Sequence, residues 1–163
     1  MATETGVWDV QEVRDKQLAS EWTYNAPSGD TGALYAWGSG QYGQPGHNDR
    51  TQRSSPMQVG TDTNWKSITC GTDSHSNLAL KGDGSIWTWG KNNNGELGLN
   101  EQGPSSLRSS PTQIPGTWTE IMVKGVYTKG AIKDGKLFMW GNNQQGEMGL
   151  NSISTTKYSS PTQ

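Results

Sequence analysis

The chain is poor in the residues most chemistry needs. Its 163 residues include one cysteine, one phenylalanine and two histidines. Cys70 has no partner, which excludes an intramolecular disulfide; within Ser67-Ile68-Thr69-Cys70 it reads as a small buried hydrophobe. With His47 and His75 alone, no spacing resembles a zinc or calcium site. Long apolar runs are missing too: hydrophobic residues make up 29%, and no run approaches the roughly 20 residues of a membrane span. Met1 to Asp9 lacks the basic end and apolar core of a signal peptide. Charge of one sign is also scarce. The net charge is −2 with both signs scattered, so no basic stripe exists to neutralise phosphates, and neither nucleic-acid binding nor membrane insertion is expected.

Catalytic patterns are equally thin. Asp73-Ser74-His75, with Ser54 and Ser55 elsewhere, offers the residue types of a nucleophilic triad but no Gly-x-Ser-x-Gly elbow. The many glycines lack the Lys-Ser/Thr of a phosphate loop. No enzyme and no cofactor is expected.

Glycine and tryptophan, by contrast, are abundant, at 22 and 8 residues. Glycine-rich composition without a period would suggest disorder, but here a period exists. Trp37-Gly38, Trp89-Gly90 and Trp140-Gly141 recur every 51 or 52 residues, and two further glycines follow each pair five and eight positions after the first. A repeat of about fifty residues means a propeller or a solenoid.

Within each repeat the period is two. Tyr35 and Trp37, Trp87 and Trp89, and Phe138 and Trp140 each share one strand face, while Ile86 and Thr88, for example, take the other. Asp83-Gly84 and Asp134-Gly135 separate short apolar runs and predict hairpins with tight type I′ turns, which need positive φ at both central residues. Ser54-Ser55-Pro56, Ser109-Ser110-Pro111 and Ser159-Ser160-Pro161 form a second marker. Proline cannot donate to a ladder, so these mark strand starts or edges. Each unit then holds about four short strands, as a propeller blade requires.

Residues 1–30 differ from the rest. Trp8, Val10, Val13, Leu18 and Trp22 suggest one face of a helix over Val10–Trp22, with Asp9 as N-cap and Glu12 completing a capping box. So short a helix needs tertiary support, either on its own repeat domain or on another subunit. The stretch from Gly6 to Trp22 resembles the N-terminal segment of structural proteins in tailed bacteriophages, those of marine cyanobacteria in particular.

The repeats have a resemblance of their own. Leu-Tyr-Ala-Trp-Gly (34–38), Gly-Glu-Leu-Gly-Leu (95–99) and Ser-Ser-Pro-Thr-Gln (109–113) are similar to the repeats of the regulator of chromosome condensation family, as is Cys70-Gly71 through His75 to Asp83-Gly84. Pro45 replaces the Leu97 and Met148 of the other copies, and the third copy loses the histidine. The resemblance implies a β-propeller, usually of seven blades. The expected fold is therefore all-β: a partial propeller of four-stranded blades, about two and a half repeats over 31–163, behind a helical extension over 1–30. Ending inside a repeat suggests a piece of a longer chain; assembly between copies is the alternative.

Three functions follow. The first is a non-enzymatic virion component of a tailed phage, a tail or fibre part. It would be anchored to other virion proteins through Trp8, Val10, Val13, Leu18 and Trp22, and display the propeller to a host-surface protein. The second is a cellular propeller that binds proteins, in cytoplasm or nucleus, including nucleotide exchange on a small GTPase as the resemblance implies. The third is glycan recognition by an amide-rich loop face formed by Tyr42, Asn92, Asn93, Asn94, Asn142, Asn143, Gln144 and Gln145. Turn chemistry alone also accounts for those amides. Glu96 and Glu147 read as solvated turn residues.

Overall fold

The computed structural model describes residues 31–70, 75–123, 126–153 and 155–163. The helix expected over Val10–Trp22, with its anchoring face of Trp8, Val10, Val13, Leu18 and Trp22, lies outside the described residues, as does the Cys70 side chain.

The strands form three antiparallel meanders. A two-stranded sheet pairs β1 (Tyr35–Gly38) with β2 (Arg53–Gln58). A four-stranded sheet runs β3 (Trp65–Cys70), β4 (Ser76–Lys81), β5 (Ile86–Gly90), β6 (Arg108–Ile114). Another runs β7 (Glu120–Val123), β8 (Thr128–Lys133), β9 (Lys136–Gly141), β10 (Tyr158–Thr162). The only helical turn among the described residues is Pro104–Ser106, inside the long connection from β5 to β6. Pro56, Pro111 and Pro161 sit in β2, β6 and β10, each the last strand of its sheet, where a missing donor costs least.

The two Asp-Gly hairpins differ. Asp134 (φ 52) and Gly135 (φ 70) are both left-handed and join Lys133 to Lys136 as a type I′ turn. In the other hairpin only Gly84 (φ 81) has positive φ, and its N–H reaches the Lys81 carbonyl at 3.0 Å. That hairpin has a three-residue loop ending in left-handed glycine. Asp83 stabilises it as an acceptor from the Ser85 N–H (2.9 Å) and hydroxyl (2.6 Å). The Ser85 hydroxyl and then its N–H hold the Asp83 carboxyl below its ordinary value of 3.8.

The core lies between sheets. Strand alternation sends Ala79, Trp87 and Trp89 to the face beside the first hairpin, where they pack with Trp65 and Leu34. Leu78, Leu80 and Ile86 face the other way and meet Trp118, Ala131 and Trp140 of the last sheet. The aromatic triads repeat with the sequence. Trp65 stands edge-on to Trp87 (6.3 Å) and Trp89 (6.2 Å), and Trp118 does the same to Phe138 (5.6 Å) while tilting against Trp140 (6.3 Å).

Two hydrogen-bonded stitches join each sheet to the next. A glycine of one unit accepts from the tryptophan that leads into the next sheet: Trp65 N–H to the Gly32 carbonyl (3.1 Å), in an isolated bridge ahead of β1, and Trp118 N–H to that of the turn residue Gly84 (2.7 Å). The loop after Trp-Gly then reaches forward over the following sheet. The Trp89 indole N–H donates to the Gln44 carbonyl at 2.8 Å, and the Trp140 indole N–H to that of Glu96 at 3.0 Å. Backbone bonds from Asn48 to Ser109 (2.8 Å) and from Asn100 to Ser159 (2.7 Å) close each loop down. Glycine is required here for contact as well as conformation. A Cβ at Gly46 or Gly98, both left-handed, would lie 2.9 or 2.8 Å from the stitched indole nitrogen.

Candidate interaction surface

The amides expected to form a ligand-facing rim divide once the Trp-Gly loops are traced. Asn92 and Asn143 are fully buried. The Asn92 carbonyl oxygen accepts from the Leu97 N–H (3.0 Å), and its amide donates to the Glu101 carbonyl (2.9 Å) and the Ser106 hydroxyl (3.0 Å). Asn143 repeats this with Met148 (3.1 Å) and Ser152 (3.1 Å). Asn142 is buried as well, with its amide on Glu147 at 3.3 Å. These three side chains build the loops and cannot face a ligand, which corrects the expectation for them. Asn93 and Asn94 are half-buried, and Asn94 donates both N–H groups to the Glu96 carboxylate (2.7 and 3.2 Å). Gln144 and Gln145 are exposed.

Glu96 also departs from expectation, being buried rather than solvated. Its carboxylate closes its own turn through Asn94, which fixes the backbone carbonyl that receives Trp140. Glu147 makes the equivalent bond, accepting from the Gln145 N–H at 2.8 Å. In the first loop Asp49 serves a related purpose. It accepts from the Thr51 N–H (2.9 Å) and the Arg53 guanidinium (2.6 Å), and the Thr51 N–H is the main reason its carboxyl sits below 3.8.

What the loops leave accessible is a mixed aromatic and basic cluster. The Tyr42 ring lies 5.0 Å from His75, at 36° between planes. Lys91 places its ammonium 5.1 Å from the Tyr42 centroid and 5.9 Å from that of Tyr127. His75 and Tyr127 hold equivalent places: the His75 carbonyl accepts from Lys91 N–H (2.8 Å), the Tyr127 carbonyl from Asn142 N–H (3.1 Å). Thus Tyr127, 39% exposed, stands where the third copy has lost its histidine. The cluster bridges three structural units, since Tyr42 belongs to the first loop, His75 and Lys91 to the middle sheet, and Tyr127 to the last. In the sequence Tyr42 stands out as a loop residue and Lys91 heads an amide run, whereas Tyr127 does not stand out. Positional equivalence between repeats was the available signal, hidden by the change from histidine to tyrosine.

Ser54 and Ser55 are exposed in β2, while Asp73 and Ser74 of the expected Asp73-Ser74-His75 set lie outside the described residues. Among the described residues no three His, Cys, Asp or Glu side chains are grouped to hold a metal ion, and no helix is long and apolar enough to cross a membrane.

Four-stranded antiparallel meanders, packed face to face with their first strands β3 and β7 adjacent, are blades of a β-propeller. The Regulator of chromosome condensation (RCC1) repeat matches residues 31–76, 83–124 and 134–163, and the chain belongs to that family. Among curated proteins it is similar to the Ultraviolet-B receptor UVR8 of Arabidopsis thaliana, at 32% identity over 72% of this chain and 27% of the receptor. It is also similar to the human X-linked retinitis pigmentosa GTPase regulator, at 34% identity over 74% of this chain and 12% of the regulator. Among solved structures, Prp20p of Saccharomyces cerevisiae superposes with a TM-score of 0.68 at 21% identity, covering 80% of this chain and 33% of that one. The chain spans a third or less of each of these three relatives.

Proposed function

We propose that this chain is part of a cellular, non-enzymatic propeller that binds another protein through the face carrying Tyr42, His75, Lys91 and Tyr127. The observation behind this is the cluster itself: rings and a cation from three successive units, accessible together and unused by the fold's hydrogen-bonded stitches. Exposed aromatic side chains flanking a cation suit a protein surface that carries carboxylates and apolar edges. A relative supports a protein partner, since Prp20p of Saccharomyces cerevisiae binds Gsp1p and histones. They also set the order of the readings. Those named are plant, human and yeast proteins. The virion reading rests on residues 6–22 alone, which lie outside the described residues. The cellular reading is therefore preferred, and glycan binding loses the buried amides on which it depended.

The test compares proteins retained by the immobilised chain with those retained by a Tyr42→Ser, Lys91→Glu, Tyr127→Ser variant of unchanged melting temperature. Selective loss of a partner from the variant is expected. Identical retention by both would remove the assignment.

A further inference from the structure

The two junctions between units share their stitches but not their outer edge. At the first, the link from Val59 to Trp65 carries Asp62, whose carboxylate meets the Lys81 ammonium at 2.7 Å. That ammonium lies over both Trp65 (4.6 Å) and Trp87 (4.1 Å), and the lysine side chain is only 7% exposed. At the second, the link from Ile114 to Trp118 is two residues shorter and carries no acid. Lys133 takes the place of Lys81, 5.9 Å from the Trp118 ring, and among the described residues it makes no ion pair. Beside it opens a cavity of about 540 Å³, lined by Trp118, Phe138, Lys133, Gln113, Asn100 and Ser160 among others. This falls within the roughly 300–1,000 Å³ of ligand pockets.

Two donors converge at one wall. The position a Cβ would take on Gly116 lies 3.1 Å from the Trp118 indole nitrogen and 3.3 Å from the Lys133 ammonium. The Trp118 indole N–H is buried and has no acceptor among the described residues. An aromatic floor and an ammonium form the counterpart of what Asp62 meets at the first junction, where the Trp65 indole N–H likewise has no acceptor among the described residues.

We infer that this second junction is a carboxylate-binding site, in which an acidic group from outside the chain takes the role that Asp62 plays internally. The carboxylate would bind the Lys133 ammonium and accept the Trp118 N–H, with its carbon stem against Phe138. Gln113 and Asn100 would supply further amide donors at the rim. The site is separate from the surface around Lys91 and does not depend on it.

The probe is N-acetyl-aspartate N-methylamide, titrated into the isotope-labelled full chain while the Trp118 indole N–H resonance is followed by NMR. The asparagine analogue and succinate serve as comparisons. A saturable shift with the aspartate compound is expected, with little from the asparagine analogue, and Lys133→Gln should weaken binding tenfold or more. The Trp140 indole resonance, held by Glu96, should stay in place in that variant and so report an intact fold. Tighter binding of the capped aspartate than of succinate would identify the source as an acidic side chain of a protein; the reverse order would identify a free dicarboxylate. Equal shifts from the aspartate and asparagine compounds, or an unchanged affinity in Lys133→Gln, would overturn the inference.

Discussion

Trp37 and Trp89 occupy the same place in successive repeats, yet Trp37 is 61% exposed and Trp89 is fully buried. Their strands are alike, as are the glycines that follow. The difference is the loop above them. Trp89 lies under the loop that begins at Gly38 and gives its N–H to Gln44, whereas among the described residues no such loop stands over Trp37. Burial of the repeated tryptophan is therefore conferred by the preceding unit, and the Trp-Gly pair is a joint between units more than the anchor of one.

The largest expected effect tests that statement directly. Trp89→Ala should cost about 3–5 kcal/mol, as truncation of a buried aromatic side chain does, while Trp37→Ala should cost well under half as much. Equal shifts in melting temperature for the two would break the comparison. Glycine offers a finer version. Gly98→Ala carries a left-handed penalty of about 1–2 kcal/mol plus about 1–3 kcal/mol for intrusion on the stitched indole. Gly149 has the same backbone sign with nothing within 4 Å, so Gly149→Ala should show only the first part. Denaturant unfolding of the pair would read the difference as the worth of a filled joint.

Smaller still is Asn92→Ala, expected to cost about 1–3 kcal/mol by leaving the Leu97 N–H buried without an acceptor. Exposed Gln144→Ala should stay within about 0.5 kcal/mol. Comparable costs for the two would mean that the amides are not divided as described. The least effect concerns acid. The Asp83 carboxyl is held low in the folded chain, so its contribution is full above the ordinary aspartate value of 3.8 and is lost as pH falls through the folded one. Asp83→Asn should therefore lower stability slightly at neutral pH and flatten its fall on that acid side, the two chains converging below the folded value, a result checked by melting temperature against pH.

These contrasts also show how far the residues could be read in order. Period-two aromatics, Asp-Gly turns and Ser-Ser-Pro edges define strands and pairing because each is a local steric or hydrogen-bonding demand. Trp87 opposite Ala79 and Ile86 opposite Leu80 follow from them. The loop amides were less legible, since an asparagine has the same composition whether it faces solvent or its own backbone. Asn92 and Asn143 recur in step with Glu96 and Glu147, and polar groups that repeat with the fold's own period are better read as loop construction. The Lys133 cavity is out of reach of the sequence because its walls come from separate units, and it appears only once the sheets are placed side by side.

The stitches all point one way. Among the described residues each loop bonds to the sheet ahead, accepting from its tryptophan and donating to its serine, so every unit has a forward and a backward side, and the contact is heterologous rather than self-matching. Such an array transmits stability between nearest neighbours only. Weakening the Glu96–Trp140 joint should thus free the last sheet as its own melting unit while the Gln44–Trp89 joint still holds, turning one cooperative transition into two.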